Sequence, residues 1–207
     1  MKTRKSPLVF CLLLSLGSGN ALADGTLSFG NVGAPPEKRI YYIHWSHSQP
    51  GVIDQGPTLL SGTGYRVALF WGAAGTTDDR NLIQIGTSTS FLTGSGAGTF
   101  FGGGRTIPSS EPGPVMTFQA RAWSGNYGIF EEALAGGNAS VGKGPLFQLK
   151  TKDPANSLEI TPNIWQAPGW QGFCIDPDFI GCIIPEPSTV ALSLLGAASL
   201  IFLRLKR

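Results

Sequence analysis

Short stretches in which apolar and polar residues alternate follow one another through the middle of the chain. Leu27 and Phe29 point one way, with Thr26 and Ser28 opposite. Ile40 to Trp45 is aromatic and β-branched, and Tyr65, Val67, Leu69 and Trp71 share one face. Leu82 to Ile85 is short and β-prone. Between Val115 and Trp123, Phe118, Ala120 and Ala122 lie on one face and Gln119 and Arg121 on the other; further on, Phe147 and Leu149 alternate with Gln148 and Lys150. A period of two is the signature of a half-buried strand. The segments 72–75, 94–98, 102–104 and 112–114 have turn compositions rich in Gly and Pro. No twelve-residue amphipathic pattern is present, and residues 127–135 predict one or two helical turns at most.

Many short strands without intervening helices predict an all-β fold, an antiparallel β-sandwich of Ig-like or jelly-roll-like type. Its core is expected to use Phe29, Val67, Leu69, Phe118 and Phe147. No repeat at a fixed period is visible, which argues against a propeller or solenoid.

The two ends follow different rules. Lys2, Arg4 and Lys5 precede an apolar run from Leu8 to Leu14, and Ala21 and Ala23 supply small residues at the positions read by a signal peptidase. This pattern predicts a secretory signal peptide helix over 1–23 with cleavage before Asp24. The apolar run is too short to span a membrane and is followed at once by Gly17 to Asn20, which disfavours a retained anchor. At the other end, Ser188 to Leu203 are 16 uncharged residues. As a helix they span about 24 Å at roughly 1.5 Å per residue, a little short of a bilayer core of about 30 Å. The stems of Arg204, Lys206 and Arg207 snorkel and recover some of the difference. That basic cluster favours a cytoplasmic C-terminus for a transmembrane helix over 188–203. Pro185 and Pro187 hold the chain before it extended, with Glu186 in water.

Pro185-Glu186-Pro187, the short apolar helix and the terminal basic cluster together resemble the PEP-CTERM sorting signal of Gram-negative bacteria that make extracellular polysaccharide. The resemblance covers residues 185–207. It implies recognition by an exosortase-type membrane processing enzyme that cuts near the Pro-Glu-Pro. An ordinary tail anchor fits less well beside a secretory signal at the other end. A second, looser resemblance spans about 26–151. Thr26 to Asn31, Tyr65 to Leu69, Phe101 to Gly104, Phe118 to Trp123 and Gly142 to Gly144 before Phe147 look like a Gly-rich all-β ectodomain carried by many PEP-CTERM proteins. No activity is implied by it. The expected organisation is a signal peptide at 1–23, a β-sandwich ectodomain at 24–151, a Pro-rich linker at 152–184 and the sorting signal at 185–207.

Charge changes meaning once the ends are set aside. Of 15 Lys+Arg, six (Lys2, Arg4, Lys5, Arg204, Lys206 and Arg207) lie in residues 1–23 and 188–207, whereas all 13 Asp+Glu lie in residues 24–187. The remaining segment is acidic and its bases are scattered, so a nucleic-acid partner finds no basic patch. Cys11 belongs to the signal peptide. Cys174 and Cys182 form an even pair suited to a disulfide in an oxidising compartment.

The sequence contains no convincing reactive set. His44 and His47 face opposite sides of a strand and meet only on a turn or helix. The adjacent pair Glu131-Glu132 diverges on a strand and cannot flank one glycosidic bond. Asp78-Asp79 reads as a solvated turn, and Asp176 and Asp178, flanking Pro177, offer two metal ligands at most. There is no Gly-x-Ser-x-Gly elbow and no phosphate loop. Asn138-Ala139-Ser140 is a glycosylation sequon of the kind that arises by chance. Trp71 and Trp123 end strands and suit the core. Trp165 and Trp170, in the Pro-rich segment, are the candidate glycan contacts. No metal or cofactor is expected.

These readings converge on a non-enzymatic, exported, surface-anchored structural or adhesive protein of the envelope or extracellular polysaccharide matrix. Its expected partners are the secretion machinery, the exosortase-type enzyme, the membrane and matrix polysaccharide. The alternatives are a carbohydrate-binding module using exposed aromatics and, more remotely, a hydrolase with an unrecognised acidic pair.

Overall fold

The computed structural model describes residues 24–45, 53–108 and 113–176. The predicted signal peptide with Ala21 and Ala23, His47, Pro177, Asp178, Cys182, the sorting motif Pro185-Glu186-Pro187, the helix 188–203 and the basic residues Arg204, Lys206 and Arg207 lie outside the described residues. Among the described residues no helix is long and apolar enough to cross a membrane.

The chain is all-β. Strands β1 (Gly25–Gly30), β2 (Ile40–Trp45), β3 (Ile53–Leu59), β4 (Tyr65–Gly72), β5 (Ile83–Ser90), β6 (Phe101–Ile107) and β7 (Val115–Ser124) precede the helix α1 (Phe130–Gly136). Strands β8 (Val141–Lys143), β9 (Phe147–Lys150) and β10 (Phe173–Ile175) follow it. They form three sheets. β1 pairs with β6, and β2 lies between β10 and β3. The largest sheet runs β5-β4-β7-β8, with β9 pairing farther along β7. All pairings are antiparallel except β10 on β2, which is parallel.

The centre of the fold is the β4–β7 pair, in register from Tyr65↔Ser124 to Gly72↔Thr117. Val67, Leu69, Phe118, Ala120 and Ala122 face the main core. This core also takes Leu27 and Phe29 from β1, Ile40 from β2, Phe147 from β9 and Ile175 from β10. The five residues expected in the core are all there. The opposite face of the same pair is buried as well. Ala68, Phe70 and Trp123 pack there against Leu82, Phe130, Ala133 and Val141. Gln119 and Arg121, expected from the alternation to face away from the core, are therefore buried too. The reason is that α1 and the β4–β5 connection cover the side that the alternation left to water.

The Gly102-Gly103-Gly104 segment, expected as a turn, lies inside β6 and pairs with β1. Here glycine makes room for a ring: a Cβ on Gly102 would fall 2.3 Å from Cδ1 of Phe29, which is fully buried. At Gly142 the backbone of β8 approaches the chain at Cys174 so closely that an added Cβ would lie 2.0 Å from the Cys174 carbonyl oxygen.

The expected linker is the largest departure. Through Asp176 it belongs to the packed domain. Lys152 pairs with Thr26, Asn163 bridges to Ser28, and β10 adds Phe173↔Ile40 and Cys174↔Tyr41 to the second sheet. Ile164, Ala167, Trp170, Phe173 and Ile175 are all buried in the main core. Pro154 and Pro168 stay exposed, so the prolines mark the bends and the apolar residues between them anchor the chain. Replacing Trp170 by Ala should cost about 3–5 kcal/mol, as for other buried aromatic truncations, whereas Trp165→Ala should cost much less. Denaturant unfolding of the full chain measures both; a silent Trp170→Ala would restore the linker reading.

Candidate functional site

The two candidate glycan contacts have different fates. Trp170 is 2% exposed. Its ring stands edge-on to Phe147 at 5.4 Å, and its Nε1–H donates to the Lys38 carbonyl at 3.4 Å. It is unavailable for stacking on a sugar, because the segment that carries it folds back onto the domain. Trp165 is half-buried. Lys38 Nζ donates to the Trp165 carbonyl at 3.0 Å and lies 5.9 Å from the centre of its ring. Asp24 begins the described chain and is half-exposed. Cys174 is held in a disulfide. Asp176 is buried and pairs through its backbone with Val141. No group of three or more His, Cys, Asp or Glu among the described residues is placed to hold a metal ion.

Asp78-Asp79, read as a solvated turn, and the pair Glu131-Glu132 are partly recruited into the fold. Arg121, on the second face of β7, lies 3.9 Å from the centre of the Phe70 ring and 5.4 Å from that of Phe130. Its Nε donates to Gln119 Oε1 at 2.9 Å, its Nη1 to Glu131 Oε1 at 3.1 Å, and its Nη2 to the Asp79 carbonyl. Lys143 Nζ reaches the Asp79 carboxylate at 2.8 Å. Burial lowers the Arg121 pKa, while Asp79 and Glu131 pull it back up. A guanidinium stays charged throughout. Asp78 caps the short turn Asp79–Asn81 and pairs with Arg80, whose hydrogen bonds hold its carboxyl below the usual range. The cluster is thus a clamp. One cation from the sheet ties down the β4–β5 connection and α1 together. Its signal in the sequence was a lone Arg inside a strand with acidic pairs distant along the chain.

The same row of β7 continues from Arg121 through Gln119 to Thr117, and there the cover ends in a cleft. It has a volume of about 250 Å³ and is lined by Gly75, Thr76, Thr77, Thr117, Leu146, Phe147 and Gln148. Thr117 and Gln148 are cross-strand partners, so they share a face. The turn after β4 supplies one wall and Leu146, half-buried, the other. Phe147 packs its ring inward on Phe118 at 5.8 Å. None of the lining side chains is charged. Gln119 Nε2 donates to the Gly144 carbonyl at 3.0 Å, but the Thr117 hydroxyl, in a residue only 2% exposed, has no hydrogen-bond partner among the described residues. Gln84 Oε1 and Arg105 Nε are also unpaired, yet each of those side chains makes other hydrogen bonds. An unpaired buried hydroxyl costs about 1–3 kcal/mol, so packing alone favours Val over Thr at 117. Sequence reasoning passed over this site because none of its residues carries an obvious chemistry.

For the clamp, Arg121→Lys should destabilise the domain by about 2 kcal/mol, because an ammonium cannot serve three divergent acceptors and lie flat on Phe70. Glu131→Gln should cost less than 1 kcal/mol, since that carboxylate is half-exposed. Thermal and denaturant unfolding give both values, and equal losses would contradict the clamp. No protein-family model matches the chain, and no curated protein or solved structure matches it.

Proposed function

We propose that the chain is an exported, surface-anchored structural or adhesive protein of an envelope or polysaccharide matrix, and that it is not an enzyme. Its sorting runs through the PEP-CTERM-like tail, with the secretion machinery and an exosortase-type enzyme as handling partners. The observation that carries the reading is the disulfide at Cys174. Disulfides persist in oxidising compartments, which agrees with export. Cys182 is the proposed partner. The loop it would close sits just before Pro185-Glu186-Pro187.

The placement of Cys174 adds a mechanical argument. It lies in β10, hydrogen-bonded beside β2, and Asp176, two residues further on, is bridged to Val141 of β8. A pull on the tail would therefore load a strand seated between two sheets instead of a slack linker, which suits a protein held by its C-terminal end. We read the three sheets as a sandwich of Ig-like or jelly-roll-like kind, because the main core draws side chains from all of them. The non-enzymatic reading is supported by the carboxylates. Asp78, Asp79, Glu131 and Glu159 are each in an ion pair with a basic side chain. A glycan-binding reading through Trp165 and Trp170 loses half its basis with Trp170 in the core.

Mass spectrometry of the mature protein from an exosortase-bearing host tests the proposal. The expected chain starts at Asp24 and ends near the Pro-Glu-Pro. Glu186→Ala, or removal of residues 204–207, should leave uncut protein in the inner membrane fraction. Intact chain in the cytosol, or unchanged processing in both variants, would overturn the sorting reading.

A further inference from the structure

We infer that the cleft between the turn Gly75–Thr77 and the β7–β9 pair binds one ring of an uncharged sugar. The inference rests on the cleft alone and does not need the export reading. Four observations lead to the ligand class. The first is size: about 250 Å³ is below the roughly 300–1,000 Å³ of pockets that take drug-sized molecules, and suits a single ring. The second is charge. No Lys, Arg, Asp or Glu lines the cleft, so a phosphate, a carboxylate or an amine would find no counter-ion. The charged groups in the neighbouring loop are already engaged, Asp78 with Arg80 and Asp79 with Lys143.

The third is the kind of polar group present. Thr77 and Thr117 carry hydroxyls that both donate and accept, and Gln148 carries an amide that does the same. Such a set matches ring hydroxyls, which also do both. The Thr76 hydroxyl donates to the Ala73 carbonyl at 2.8 Å and keeps its lone pairs for a ligand. The fourth is the apolar wall at Leu146, against which the C–H face of a sugar ring can lie. The unpaired hydroxyl of Thr117 is the feature that packing does not account for. A ligand hydroxyl is the partner that would justify it.

Isothermal titration of the full chain with neutral oligosaccharides of glucose, galactose, mannose and N-acetylglucosamine, and with glucuronate and inorganic phosphate as anionic controls, tests this. At least one neutral sugar should bind saturably. Gln148→Ala and Thr117→Val should each weaken that binding tenfold or more, and Thr77→Trp, which fills the cleft, should abolish it. Trp165→Ala should leave it unchanged. Thermal unfolding separates folding from binding: Thr117→Val should melt no lower than the parent while binding less. Absence of binding by every neutral sugar overturns the proposal. So does equal or tighter binding of the anions, and so does binding lost in Trp165→Ala but kept in Gln148→Ala. Because this measurement uses purified protein, it fails or succeeds independently of where the protein is delivered.

Discussion

The pairing of β4 with β7 is the constraint from which the rest follows. Eight consecutive pairs hold the two strands together, and both faces of the ribbon are shielded from water. A strand buried on both sides cannot keep the simple alternation of a half-buried one. At its centre every side chain must be either apolar or fully partnered. β4 meets the requirement with Val67 to Phe70, four buried residues in succession. β7 meets it differently, by carrying Gln119 and Arg121 into the interior and giving each its acceptors.

Arginine is used twice for the same purpose. Arg121 lies on Phe70 and joins the sheet to the β4–β5 connection and to α1. Arg105, whose pKa is likewise lowered by burial, stands over Phe29 at 5.2 Å and donates to the Thr87 carbonyl at 2.9 Å, so that it ties β6 to β5. In both places two elements meet where backbone pairing alone does not close the gap. A flat guanidinium fills the gap because one face stacks on a ring while the edge donates to several acceptors. A larger apolar side chain would fill the space but leave the facing carbonyls without donors.

The all-β class, most of the strands and the five main core residues were legible because period-two patterning reports a strand whenever one face meets water. The same signal failed where that condition failed. Gln119 and Arg121 looked exposed because a polar residue in an alternating strand usually is. Gly102 to Gly104 looked like a turn because the pattern cannot show that Phe29 needs a bare backbone to lie on. Residues 152–176 looked like a linker because their anchors, Ile164, Ala167, Trp170, Phe173 and Ile175, follow neither a helical nor a strand period. They are held by a distant strand, β2, through a parallel pairing that no local pattern announces. The clamp and the cleft share this origin. Asp79, Arg121, Glu131 and Lys143 are far apart in sequence, as are Thr77, Thr117 and Gln148, and only the fold brings each set together.

Along one face of β7, Trp123, Arg121, Gln119 and Thr117 form a graded row. Trp123 is packed against Phe130 and donates its Nε1–H to the Tyr127 carbonyl. Arg121 and Gln119 are polar and satisfied. Thr117 is polar, buried and unsatisfied, and it sits where the cover of loop and helix ends. Folding explains the first three, since each removal would open a cavity or orphan a partner. It does not explain the fourth, for which an isosteric apolar residue would fold at least as well. A buried hydroxyl that the fold does not need, on a residue that lines an uncharged cleft and is paired across the strands with Gln148, is the point at which stability no longer accounts for the side chain and a ligand would.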